Sequence, residues 1–110
     1  MDVKTADSMR PMLQGLKREL VQIYGPRFRQ MILYGSYARG DAQEGSDVDI
    51  LLVLEDAGDP LGERERLSEM LWQYALQYDA VLSVMPVDAG LFASRQKPLF
   101  LNVKREGVVI

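Results

Sequence analysis

Two aspartates that share a strand face are the residues of this chain with the clearest capacity for chemistry. Asp47 and Asp49 open the apolar run "DVDILLVL". On a β-strand both side chains would point to one face, about 6.6 Å apart along it. Two uncompensated carboxylates placed there would repel each other and lose hydration, a conflict that a divalent cation resolves. Because the chain contains neither His nor Cys, such a site favours Mg²⁺ or Mn²⁺.

The alternative is that both aspartates lie in the loop before the strand and face water. Asp and Ser are common turn residues, and a single Asp-x-Asp step is weak evidence when taken alone. The choice between the two interpretations depends on what else the chain brings to the same place.

Gly35 and Ser36 supply a complementary feature, because they could hold an anion. They follow an apolar strand and open one helical turn, whose first amides, together with the Ser36 hydroxyl, can hold a phosphate. Gly35 would let the phosphate approach the backbone closely, and Arg39, one turn later, could reach the same anion. An ordinary strand-to-loop turn is the simpler reading of Gly-Ser alone. A phosphate cradle at a fixed distance from a carboxylate pair favours a shared site.

The segment "GSYARGDAQEGSDVD" resembles the signature of the DNA polymerase beta-type nucleotidyltransferase superfamily, which is Gly-Ser, ten residues and Asp-x-Asp. Within it, "GSYARGD" most resembles the minimal nucleotidyltransferase (MNT) group, whose members are the antitoxin partners of small helical HEPN toxins. The resemblance is close over residues 30–54 and covers the rest of the chain only in the order of its elements.

The resemblance implies a role for each matching residue. Asp47 and Asp49 would bind two Mg²⁺ ions, one holding the nucleoside triphosphate and the other lowering the pKa of an attacking hydroxyl. Gly35 and Ser36 would hold the β- and γ-phosphates of ATP, with Arg39 as a supporting cation. The predicted nucleotide-binding residues are Gly35, Ser36, Arg39 and Ser46.

The resemblance also implies a third carboxylate on the next strand. Asp79 in "QYDAVLSV" is the candidate for this catalytic and metal-binding residue. Strand alternation puts Ser83 on the same face, and if the family's ligand position falls there, the site has no third carboxylate. Asp79 would then be an ordinary aspartate of a helix-to-strand loop.

Hydrophobic periodicity predicts the elements that position these residues. Apolar residues on both faces of the strand that follows Asp47 indicate a central strand covered on both sides. From the N-terminus, the predicted elements are a helix capped by Ser8 and ended by Gly25-Pro26, a strand over residues 30–34, one helical turn over 36–39, a strand over 48–54, a helix opened by Asp59-Pro60, a strand over 80–84, a short helix capped by Asp88 and a helix over 98–106.

This order predicts an α/β (α+β) fold with a small mixed β-sheet flanked by helices. The resemblance implies the nucleotidyltransferase, polymerase beta-like palm fold. A chain of 110 residues is expected to form a single domain, residues 1–110. No apolar run approaches the length of a membrane span. The absence of Cys and of a signal-peptide pattern at the N-terminus predicts a cytoplasmic location.

The function implied by the resemblance is Mg²⁺-dependent transfer of AMP from ATP to a hydroxyl, a tyrosine of a HEPN toxin. The formal net charge of −3 argues against a nucleic acid as the main substrate, since binding a phosphate backbone requires a basic face. One alternative is an antitoxin that binds its toxin stably and has a weak or inactive site. Another is a small-molecule nucleotidyltransferase, a group whose members generally carry an additional helical domain for the acceptor.

Overall fold

The computed structural model describes residues 9–43, 45–94 and 97–110. Its centre is a four-stranded mixed sheet with the strand order β3-β2-β1-β4. The elements are α1 (Arg10–Tyr24), β1 (Phe28–Tyr34), α2 (Ser36–Arg39), β2 (Asp47–Leu54), α3 (Pro60–Tyr78), β3 (Val81–Asp88), α4 (Ala89–Ser94), α5 (Pro98–Glu106) and β4 (Val108–Val109). The predicted α/β fold with a small mixed sheet is confirmed.

The sheet combines one parallel pair of strands with two antiparallel pairs. β1 runs antiparallel to β2, and the register places Tyr34 opposite Asp49. β3 runs parallel to β2, as a helical crossover requires, and places Ser83 opposite Asp49. The start of β2 therefore lies between the end of β1 and the start of β3, so residues from three strands meet there.

Alternate residues of the central strand enter two cores on opposite faces of the sheet. Ile50 and Leu52 pack into the larger core, which includes buried residues of α1 and α3. Leu51 and Val53 pack into the smaller core, together with buried residues of α4 and α5. Every residue from Ile50 to Leu54 is buried, which confirms that the strand is covered on both sides. By the same alternation, Asp47 and Asp49 belong to the face of the smaller core.

The strands that flank the Gly-Ser turn are longer than the sequence predicted. β1 begins at Phe28 rather than at residue 30, and β2 begins at Asp47 rather than at residue 48. Both aspartates therefore lie within the strand and not in the loop before it. The predicted Asp59 cap is confirmed, since its side chain accepts a hydrogen bond from Gly62 N.

The third strand departs most from its predicted span of residues 80–84, because it continues to Asp88 through Pro86. Proline is tolerated at this position because β3 is an edge strand, where a missing N–H need not break a ladder. Asp88 caps α4 as predicted, accepting hydrogen bonds from Gly90 N and Leu91 N. The Ser8 cap lies outside the described residues. Among the helices that the structure describes, none is long and apolar enough to span a membrane.

Candidate active site

Asp47 and Asp49 lie on one face of β2 at the end of the sheet where the chain enters the strand. Asp47 is exposed, whereas Asp49 is half-buried between Tyr34 of β1 and Ser83 of β3. The sequence prediction that these two carboxylates share a strand face is confirmed. Their position at the open end of a buried strand makes them accessible while their backbone is held in the sheet.

The negative charges of Asp47 and Asp49 are only partly compensated by nearby positive charge. The pKa of the Asp49 carboxyl is raised above its ordinary value, first by burial and then by the charge of Asp47, while Arg39 partly offsets this. The ionised pair therefore favours a further positive charge at this place.

Gly35 allows the carboxylate of Asp49 to lie directly against the turn between β1 and α2. Its φ of 75° is in the left-handed region that favours glycine. A Cβ at this position would clash with Asp49 Oδ2 and would lie only 3.3 Å from Asp49 Cγ. The turn that could hold a phosphate and the carboxylate that could hold a metal ion are thus in contact.

The short helix α2 begins directly after Gly35, so its first amides lie close to this contact. The carbonyl oxygen of Gly35 accepts hydrogen bonds from Ala38 N and Arg39 N, both at 3.1 Å. The earlier amides, those of Ser36 and Tyr37, precede the first intrahelical bonds and can serve an anion. Ser36 is half-buried beside the same turn. The predicted cradle therefore lies at the N-terminal end of α2, next to Asp49.

Arg39 lies on the last turn of α2 and is shared between two acidic side chains. Its Nε is 3.4 Å from Asp41 Oδ2, and its Nη1 is 3.6 Å from Glu106 Oε2 of α5. Its side chain is about half exposed, and its charge lowers the pKa of Asp49. Arg39 is thus near the carboxylate pair, and its ion pairs are weak enough to be exchanged for a phosphate.

The other two predicted site residues, Ser46 and Asp79, lie in the segments that precede β2 and β3. Ser46 closes the loop before β2, since its Oγ accepts a hydrogen bond from Gln43 N at 2.9 Å. Asp79 is the C-cap of α3, with a φ of 49°, and is exposed. Both residues line a cavity of about 320 Å³ that also contains Trp72.

On β3, the position opposite Asp49 is occupied by Ser83 and not by an acidic residue. Across the described ranges of the chain, no group of three or more acidic residues could hold a metal ion. The geometry therefore does not bring Asp79 together with the carboxylate pair, and its predicted role as third ligand stays a prediction. The carboxylates of Asp47 and Asp49 still fit a divalent cation. They repel each other and one of them is half-buried, so a bound cation would offset an unfavourable charge arrangement.

Two residues near the site were not predicted from the sequence. Tyr34 lies opposite Asp49, and its pKa is raised by burial and then by the charge of Asp49. The sequence feature that could have indicated Tyr34 is its position directly before Gly35 in "LYGS". Glu106 reaches Arg39 from the far end of the chain, and nothing in the local sequence pointed to this contact.

Comparisons with known proteins agree with this geometry. The nucleotidyltransferase domain family model matches residues 13–96. A provisionally named protein adenylyltransferase of Methanocaldococcus jannaschii is 35% identical over 88 residues, which are 79% of this chain and 82% of that protein. The protein adenylyltransferase MntA of Thermococcus cleftensis is 39% identical over 56 residues, which are 51% of this chain and 54% of that protein.

Solved structures with the same fold include two toxin–antitoxin assemblies. A toxin–antitoxin crystallised with AMP-PNP has a TM-score of 0.59 and 23% identity, covering 87% of this chain and 70% of that chain. A mutant of the MntA–HpeT toxin–antitoxin has a TM-score of 0.57 and 18% identity, again covering 87% of this chain and 70% of that chain. At these identities the similarity establishes the fold.

Proposed function

Because the chain belongs to the nucleotidyltransferase domain family, we propose that it transfers AMP from ATP to a hydroxyl group of a partner toxin and so acts as an antitoxin. The observation that carries the proposal is the contact between Gly35 and Asp49. It joins the turn that can hold a triphosphate to the carboxylate that can hold its metal ion. That the chain is a nucleotidyltransferase follows from the family, whereas the nucleotide and the acceptor are the proposal.

The triphosphate would lie at the N-terminal end of α2. The amides and hydroxyl there are hydrogen-bond donors for the β- and γ-phosphates, and the helix end favours negative charge. Arg39 would exchange its ion pairs with Asp41 and Glu106 for the same phosphates. This placement leaves the α-phosphate beside Asp47 and Asp49.

Asp47 and Asp49 would hold Mg²⁺, with two ions expected when nucleotide is bound. Two carboxylates provide few ligands, so phosphate oxygens of ATP would complete the coordination. When bound, the metal would neutralise charge on the triphosphate and lower the pKa of the acceptor hydroxyl.

The proposed reaction is a displacement at the α-phosphorus. The acceptor oxygen forms a bond to this phosphorus, and the bond from the phosphorus to the oxygen that bridges to the β-phosphate breaks. Pyrophosphate is the leaving group, and it stays hydrogen-bonded to the amides and hydroxyl of the α2 turn as it forms. The proton of the acceptor hydroxyl passes to solvent. Ser36 would stabilise the charge on the leaving group from its place in the turn, and Arg39 would do so once it has exchanged its ion pairs.

A protein acceptor is favoured over a small molecule or a nucleic acid. The relatives are named protein adenylyltransferases, and similar folds occur in toxin–antitoxin assemblies. The resemblance further suggests a tyrosine of a HEPN toxin as the acceptor, in the cytoplasm. The formal net charge of −3 also disfavours a polynucleotide.

One observation favours a second candidate, an antitoxin that neutralises its toxin by binding alone. Ser83 occupies the position opposite Asp49, so the described strands supply two carboxylates to the site. A site with fewer ligand charges binds a divalent cation less tightly. Stable association would then account for neutralisation without transfer.

The test is to incubate the purified chain with ATP, Mg²⁺ and the toxin, and to measure the intact mass of the toxin. We expect the toxin to gain the mass of one AMP on a hydroxyl side chain. An unmodified toxin that is nevertheless fully inhibited in the complex would overturn the enzymatic function in favour of binding.

A further inference from the structure

Three large apolar side chains are exposed together where α3 ends and β3 begins. Trp72, Leu76 and Val81 are 61%, 60% and 55% exposed. We call these three residues the α3–β3 strip. A contiguous apolar surface of this kind is typical of a binding site, whereas a single exposed leucine is ordinary.

The exposure of the strip follows from the side of α3 on which its residues lie. Leu67 and Leu71 face the larger core and are buried there. Trp72 and Leu76 are four residues apart, so they are neighbours on another side of the helix. Packing of α3 against the sheet therefore leaves both of them uncovered.

The strip adjoins the candidate active site. All three residues line the cavity of about 320 Å³ that also contains Ser46, the residue before Asp47. Val81 is the register partner of Asp47 on the neighbouring strand. A second cavity, of about 270 Å³, continues from Trp72 and Val81 toward Arg64. A molecule seated on the strip would therefore lie beside the segment that leads into β2, at the end of the sheet where Asp47 and Asp49 are found.

Negative charge borders the strip on the side of the site. Asp79 lines the shared cavity, and Asp47 lies beside Val81. Both carboxylates are exposed, and neither forms an ion pair with another residue of the described chain. A binding partner that carries Lys or Arg next to an apolar segment would satisfy both features.

We propose that the α3–β3 strip is the docking surface for the protein that carries the acceptor hydroxyl. The partner would place an apolar segment on Trp72, Leu76 and Val81, and a basic side chain beside Asp79. Trp is the residue type most enriched at the energetic centre of protein interfaces. This inference rests on the proposed function, because it identifies how a protein acceptor is brought to that same site.

The extent and charge of the strip favour a protein over the nucleobase of ATP. The strip continues from one cavity into a second, which is more surface than one base covers. The uncompensated carboxylate of Asp79 also suits a cationic side chain better than a triphosphate.

The test compares Leu76→Glu with a matched control, Leu61→Glu. Leu61 is on the same helix, is 78% exposed and lines neither cavity, and a glutamate near the helix N-terminus is well tolerated. The probe is the purified toxin whose intact mass is measured in the test of the proposed function, and affinity is measured by calorimetry. We expect Leu76→Glu to weaken binding about 30-fold and Leu61→Glu to leave it within about twofold.

Trp72 provides a second readout because it is the only Trp of the chain. With 5-fluorotryptophan incorporated into this chain alone, its fluorine resonance should shift on addition of the toxin and not on addition of Mg²⁺ and ATP. A shift with ATP alone would overturn the inference and identify the strip as a base-binding surface. Loss of self-association in Leu76→Glu, with toxin affinity unchanged, would instead assign the strip to a second copy of the chain.

Failure of the inference and failure of the proposed function give different results. If Leu76→Glu binds and adenylylates the toxin as the wild type does, the strip is not the docking surface and the function stands. If the wild type binds the toxin through the strip but transfers no AMP, the docking surface stands and the enzymatic function fails.

Discussion

The carboxylate of Asp49 lies against the backbone of Gly35, in the space that a Cβ would occupy. This contact joins the two halves of the site, since Gly35 begins the phosphate-binding turn and Asp49 belongs to the carboxylate pair. It also makes the type of residue at position 35 a direct determinant of where Asp49 can lie.

Gly35→Ala should therefore abolish nucleotide transfer. The new Cβ would displace the Asp49 carboxylate, and the positive φ of 75° would strain the backbone by about 1–3 kcal/mol. The measurements are AMP transfer and urea unfolding. The control is Gly40→Ala, because Gly40 has a φ of 85° but no atom within 4 Å of an added Cβ. Equal losses of activity in both variants would show that backbone strain, and not displacement of Asp49, is responsible.

The raised pKa of Asp49 predicts a pH-dependent gain in stability when its charge is removed. The folded chain holds this proton more tightly than the unfolded chain, so the metal-free free energy of unfolding falls as pH rises through the raised pKa. Asp49→Asn lacks this loss and should therefore be more stable than the wild type at neutral pH. Urea unfolding in EDTA should show the difference shrinking as the pH is lowered. A difference that does not change with pH would contradict the electrostatic account.

Ser83→Asp should strengthen metal binding because it adds a carboxylate opposite Asp49. We expect Mn²⁺ to bind about tenfold more tightly, measured by calorimetry, since affinity rises with the number of charged ligands. Ser83→Asn controls for the added volume. Asp79→Ala should leave Mn²⁺ affinity unchanged if Asp79 is not a ligand, and a large loss in that variant would support Asp79 as the third ligand.

Arg39→Ala should weaken ATP binding about 3–10-fold, because a charged hydrogen-bond donor to the phosphates is lost. Its exposed ion pairs contribute little to folding, so the free energy of unfolding should change by less than about 1 kcal/mol. Arg29→Ala is the matched control, since Arg29 forms a 3.0 Å ion pair with Glu55 on the surface and is not part of the site. Equal ATP affinities for the two variants would remove Arg39 from the site.

The sequence was sufficient to predict the parts of the site that depend on local spacing. Strand alternation placed Asp47 and Asp49 on one face, and the Gly-Ser step predicted the turn into α2. Register between strands is not local, and a shift of one residue reverses which side chains share a face. For this reason the sequence alone could not decide whether Asp79 or Ser83 shares the face of Asp49; the pairing of β2 with β3 places Ser83 opposite Asp49.

Contacts between segments that are far apart in the chain could not be predicted from the sequence either. The ion pair between Arg39 and Glu106 joins α2 to α5, and no periodic pattern links the two positions. Similarly, no sequence pattern predicted that Trp72 and Leu76 of α3 would stay exposed beside the start of β2.

The most direct test of the account is the double variant Asp47→Ala/Asp49→Ala, co-expressed with the toxin. Its fold should be retained, because Asp47 is exposed and Asp49 half-buried, outside both cores. The intact mass of the co-purified toxin should lack the added AMP, and the toxin should regain its activity. A double variant that neutralises the toxin as completely as the wild type would contradict the account, because neutralisation would then require binding and not transfer.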